Sequence, residues 1–139
     1  MAEMPEKHTI PSFLALADDW ERNAAIAAAI GTWHREGTMW CRGSPLCADD
    51  DRDWRRAAPF YWTGGDSDPF ANWHLLAEVI RALRGVERGC YVVIFCNPGG
   101  SMRVTVKSSC NMTLISQTAS SFHRAACLAL VAAGLVPKE

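Results

Sequence analysis

Apolar residues recur along this chain with two different periods, and each change of period marks a change of element. Over 18–31, Trp20, Ala24, Ala27 and Gly31 share one helical stripe, while Ile26, Ile30 and Trp33 share a neighbouring one. Asp18 with Glu21 three places on resembles a capping box, and Gly31 suits a left-handed stop. Phe13, Leu16 and Ala17 keep the spacing of Trp20, so the helix also admits an earlier start near Ser12. A second helix reads from Ser67 or Asp68, with Pro69 in its first turn, to Gly85. Its Trp73, Leu76, Ile80 and Leu83 line up, with Leu75 and Val79 beside them. The last helix starts at Ser120 or Ser121 and stops at Gly134; its alanines let it lie close on a sheet.

Between the second and last helices the period is that of strands. Residues 91–95 are apolar without alternation, the pattern of a strand covered on both faces. Asn97-Pro98-Gly99-Gly100 reads as a turn. Residues 102–107 alternate, so that Arg103, Thr105 and Lys107 share a face, and a weaker third strand runs near 112–117. No period persists over 32–69, which reads as an irregular segment. Residues 1–11 read as a flexible tether and 12–137 as one domain. This order predicts an α+β fold, a three-layer α/β/α sandwich around a small three-stranded antiparallel sheet.

Composition narrows the function classes. With 139 residues, 49% of them hydrophobic, the chain has enough apolar material for one core. Fourteen Lys and Arg against fifteen Asp and Glu argue against a basic nucleic-acid binder. No apolar run is long enough for a membrane span and no basic leader precedes one, so the expected compartment is the cytoplasm, without a membrane partner. The six cysteines are then expected to be reduced. Residues 1–50 carry four basic against eight acidic side chains, and 76–139 seven against three. That asymmetry serves equally to steer an anionic partner or to draw the two ends of one domain together.

Candidate chemistry concentrates in the middle of the chain. Trp33, Trp40, Trp54, Trp62 and Trp73 fall within 33–73, interleaved with Arg35, Arg55 and Arg56 and flanked by His34 and His74. Such side chains stack on bases, grip phosphate or carboxylate, or anchor a protein partner. They also make ordinary core, and both readings stay open here. Arg103 and Lys107 would back a docking surface from the sheet, and an exposed Trp/Arg patch would favour a homodimer. His34, Cys41 and Cys47 are the candidate metal ligands, but their spacing differs from the short C-x2-C pairs of structural zinc sites. Neither a resident metal nor another cofactor is expected, and Cys41 with His34 or Cys110 with His123 lack the flanks of a known nucleophile motif.

Ala24-Ala25-Ile26-Ala27 leading into Gly31-Thr32-Trp33, then Trp40, Pro59-Phe60-Tyr61 and Asp68 ahead of the helix over 73–83, form a recognisable series. With the strands over 91–96 and 102–106 and the closing Ala125-Ala126-Cys127-Leu128-Ala129-Leu130, it resembles the phage ABA sandwich domain. The resemblance covers residues 22–134 and implies a phage or prophage origin and the fold, with no common activity or catalytic set. The expectation is therefore a non-enzymatic binding protein in an infected bacterial cell that engages a host protein complex, in counter-defence or regulation. The alternatives are a protein that binds a nucleotide or other small anion, and a zinc- or cysteine-dependent enzyme.

Overall fold

The computed structural model describes residues 6–42, 52–64 and 73–138. Among them, four helices and two three-stranded antiparallel sheets make an α+β fold. The helices are α1 (Ile10–Leu14), α2 (Asp19–Ile30), α3 (Trp73–Leu83) and α4 (Phe122–Ala132). The strands are β1 (Trp33–Glu36), β2 (Met39–Arg42), β3 (Asp53–Arg55), β4 (Tyr91–Cys96), β5 (Met102–Lys107) and β6 (Thr113–Ala119).

Local chemistry sets the helix ends. Asp18 Oδ1 accepts from the Glu21 amide at 2.9 Å, and Glu21 Oε2 reaches back to the Ala17 amide at 3.1 Å. The expected capping box is thus reciprocal, with its second bond one residue further upstream than the standard motif. Gly31 stops α2 at φ 77°, its amide on the Ala27 carbonyl. Ser121, rather than Ser120, caps α4 through the Arg124 amide. The expected start of α3 at Ser67 or Asp68 lies outside the described residues.

Within the stretch expected as a tether over 1–11, residues 6–11 make specific hydrogen bonds. Thr9 and Ser12 cap each other across the start of α1, where Pro11 fits the first turn. Arg22 Nη2 then donates to the Leu14 and Leu16 carbonyls, both at 2.8 Å, and ties α1 to α2 as a separate short helix. Upstream, the His8 amide donates to the Val136 carbonyl and the Lys138 amide to the Glu6 carbonyl, each at 2.8 Å. The two terminal segments therefore run side by side.

The expected antiparallel sheet is present in the order β4-β5-β6, with a bulge at Val106/Lys107. Asn97–Gly100 is its turn, closed by the Gly100 amide on the Asn97 carbonyl. Val92, Ile94, Val104, Val106 and Ile115 share the core face, and α4 packs against β5 and β6 there. On the opposite face a third layer is not confirmed among the described residues. Helices were expected on both sides, yet Tyr91, Phe95, Ser116 and Thr118 lie at the surface. β4 is an edge strand, so its unbroken apolar run reflects one buried face and one apolar open face.

The supposedly irregular segment holds the second sheet, ordered β1-β2-β3. Gly37 and Thr38 make a two-residue hairpin turn between Glu36 and Met39. Gly37 has φ 63° at the first turn position, which a side chain would strain. These strands have three or four residues each, too short for a period of two to register.

A single core cluster joins the parts. α4 is buried nearly all round, with α3 and the β4-β5-β6 sheet packed against it. Its Cys127 donates to the Tyr61 carbonyl at 3.4 Å, and burial pushes this thiol well up from its ordinary 9.0. The Tyr61 phenol donates to Glu78 and is raised above its ordinary 10.0, first by burial and then by that bond. Raised folded values keep both contributions intact below the unfolded values; above them the unfolded state holds fewer protons. Urea denaturation at increasing pH is therefore expected to show stability falling from about pH 9 upward, by about 1.4 kcal/mol per pH unit per ionising group. Cys127→Ala should remove the earlier part of that slope.

Candidate functional site

Small residues on α2 open a groove beside β1. Trp20, Ala24 and Ala28 follow one another at helical spacing, and with Ala25 they form one wall. The alanines leave room that larger residues would fill. Trp33, His34 and Arg35 of β1, with Trp40 of β2, form the second wall, and the paired terminal segments supply His8, Pro137 and Lys138. The half-open space is about 840 Å³, within the range of small-molecule sites.

Its charges sit at the margin of an apolar floor. The Arg35 guanidinium stands 5.8 Å from the centre of the Trp20 ring, with Nε donating to the Gly37 carbonyl at 3.1 Å. Trp20 is 42% exposed, a large apolar surface left open to water. Lys138 pairs with Glu6 at 3.7 Å, on the outer side. His8 shares a hydrogen bond with Ser12 at 2.9 Å, and burial, then the Lys138 charge, hold its pKa below the ordinary 6.5. Glu21, the carboxylate in the lining, is engaged in the α2 cap. An aromatic surface beside Arg35 and Lys138 suits a flat apolar body carrying negative charge.

The residues singled out in the sequence are dispersed by the fold. Trp33, His34, Arg35 and Trp40 do line the groove, but Trp33 and Trp40 are chiefly core, with Trp33 only 1% exposed. Trp62 is also core, so for these three rings the core alternative left open by the sequence applies. An indole removes so much apolar surface from water that a small domain gains most by enclosing it. Arg55 stacks on the buried Trp33 at 5.1 Å, and Trp54 is half-buried with Arg52 5.9 Å from its ring centre. Arg56 is exposed, as are Trp73 and His74 at the start of α3. Arg103, 4.6 Å from the Phe95 ring centre, and Lys107 belong to the open face of the other sheet.

No family model, curated protein or solved structure matches this chain. Function must therefore be argued from the site itself.

Two features escaped the sequence reading. Trp20 was read only as one position of a helical stripe, not as an exposed ring at a groove. Glu78 lies among the buried residues of α3, where its carboxylate accepts from Tyr61 and, at 3.0 Å, from Thr32, and pairs with Arg42 at 2.9 Å. This network joins α3 to β2 and to the α2–β1 junction; Glu78 and Tyr61 are buried while Arg42 reaches the surface, and none of the four lines the groove. Among the metal candidates, His34 and Cys41 come together with Glu36. Cys47 lies outside the described residues.

Proposed function

We propose that this protein binds a small anionic ligand with a planar apolar body, of the nucleotide or aromatic carboxylate class, in the α2–β1 groove. The observation that carries this reading is the exposed Trp20 ring beside the Arg35 guanidinium at the margin of an alanine-floored groove. The ring provides a stacking face and Arg35 a forked donor for phosphate or carboxylate. Binding alone is proposed, without a catalytic step.

Trp20 gives the experiment its signal. Titration with nucleotides and aromatic carboxylates is expected to quench tryptophan fluorescence. Arg35→Ala should weaken that binding about tenfold, equivalent to about 1.4 kcal/mol, with the melting temperature unchanged. Trp20→Ala should remove most of the signal. Absence of quenching across both ligand classes at millimolar concentration, or equal binding by Arg35→Ala, would overturn the reading.

The second reading, a phage-type protein engaging a host complex, draws support from the open face of β4-β5-β6. Tyr91 and Phe95 are exposed there beside Arg103, a combination typical of protein contact sites. In that case binding depends on Phe95 and Arg103 and is indifferent to Arg35.

A further inference from the structure

The β1–β2 hairpin gathers three different metal-binding side chains on one face. His34 is the cross-strand partner of Cys41, and Glu36 lies two residues beyond His34, so the pleat carries all three to the same side. Their ligand atoms lie within 4.8 Å of one another. We propose that His34, Glu36 and Cys41 bind one divalent transition-metal ion of the zinc class and leave one coordination position open.

Geometry comes first. Ligands about 2.0–2.3 Å from a tetrahedral zinc ion stand about 3.3–3.8 Å from each other. His34 Nε2 and Glu36 Oε1 are already 3.5 Å apart. Rotamer adjustment of about 1 Å brings Cys41 into the set. The donor chemistry then selects the ion: a thiolate and an imidazole favour zinc-class metals over magnesium or calcium, which take oxygen. Three protein ligands on a short hairpin make an open site rather than a closed structural one. Cys41 is fully buried while His34 and Glu36 are exposed, so the metal is reached from the solvent side.

Arg52 acts behind the ligands. Its Nη1 lies 3.8 Å from Cys41 Sγ and 3.6 Å from Glu36 Oε2, and its side chain is only 10% exposed. From there it supports both the sulfur and the carboxylate, as outer-shell donors do around bound metals. When the metal–sulfur bond forms, the Cys41 thiol proton passes to solvent, so affinity rises with pH. The site is separate from ligand binding in the groove, although His34 borders both.

Cobalt(II) is the probe. The reduced protein, stripped with a chelator, is expected to bind one equivalent. A thiolate-to-cobalt charge-transfer band and strong four-coordinate visible bands should appear, and zinc should displace both. Cys41→Ser should abolish the charge-transfer band. Because Cys41 is buried, His34→Ala and Glu36→Gln at exposed positions provide the second arm: each should weaken affinity at least tenfold while the circular dichroism spectrum is retained. The band should survive in Cys96→Ser/Cys110→Ser, which removes the two thiols exposed among the described residues. Less than about a tenth of an equivalent bound, affinity unchanged in both His34→Ala and Glu36→Gln, or a band that follows Cys96 and Cys110 overturns the proposal. None of these readouts involves the groove ligand, so either proposal can fail alone.

Discussion

Trp62→Ala is expected to lower stability by about 3–5 kcal/mol, the range for removing a buried tryptophan. The ring packs edge-on against Phe13, with centroids 5.2 Å apart, and the Arg124 guanidinium covers it at 5.0 Å. Its Nε1 donates to Asp19 at 3.0 Å, while its amide donates to the buried Asn23 side chain at 2.6 Å. Trp62 therefore ties α1, α2 and α4 to the turn over 61–64. Gly64 closes that turn with the His123 ring so near that a Cβ would meet Nδ1 at 2.8 Å, which leaves the turn little room to shift. A loss of this size is a large share of the stability of an ordinary domain. Chemical denaturation measures it directly. Trp62→Phe should lose less, about 1 kcal/mol for the indole hydrogen bond plus its missing volume. An unchanged denaturation midpoint for Trp62→Ala would mean that the ring does not hold these helices together.

Arg42→Ala should be nearly as damaging, at about 3 kcal/mol, because of what it leaves behind. The Glu78 side chain is only 4% exposed, whereas that of Arg42 is 40% exposed. Without the guanidinium, the carboxylate remains enclosed with, among the described residues, the Tyr61 and Thr32 hydroxyls. Removing Glu78 instead frees an arginine that can turn to water, so Glu78→Gln should cost less. The double variant Arg42→Ala/Glu78→Leu should recover part of the loss, since it eliminates the isolated charge. Denaturation midpoints of the three variants test this order. If Arg42→Ala were the mildest, the pair would contribute nothing beyond its hydroxyl contacts.

Much of the fold was legible because its signals were local. The Asp18 cap, the Gly31 stop, the turn over 97–100 and the alternation over 102–107 each depend on neighbouring residues alone. β1, β2 and β3 were not legible: Trp33-His34-Arg35-Glu36 has one buried position and three exposed ones, and a pattern that short carries no period. The helical stripe containing Trp20 gave its direction but not its cover. Whether a stripe is core or groove depends on the size of what faces it, and here Arg35 and the terminal segment face it. Sequence spacing found His34 and Cys41 as metal candidates but missed Glu36, because the hairpin register that aligns the three exists only after folding.

The free side of β4 has a consequence for the chain before it is fully folded. Tyr91-Val92-Val93-Ile94-Phe95-Cys96 is an uncharged, aromatic and β-branched hexamer at the margin of its sheet. Such segments are templates for fibrillar stacking whenever copies meet unfolded. Arg88 upstream and Pro98 downstream stand as gatekeepers, so that any growth of ordered aggregate from this stretch meets a charge at one end and a missing amide donor at the other.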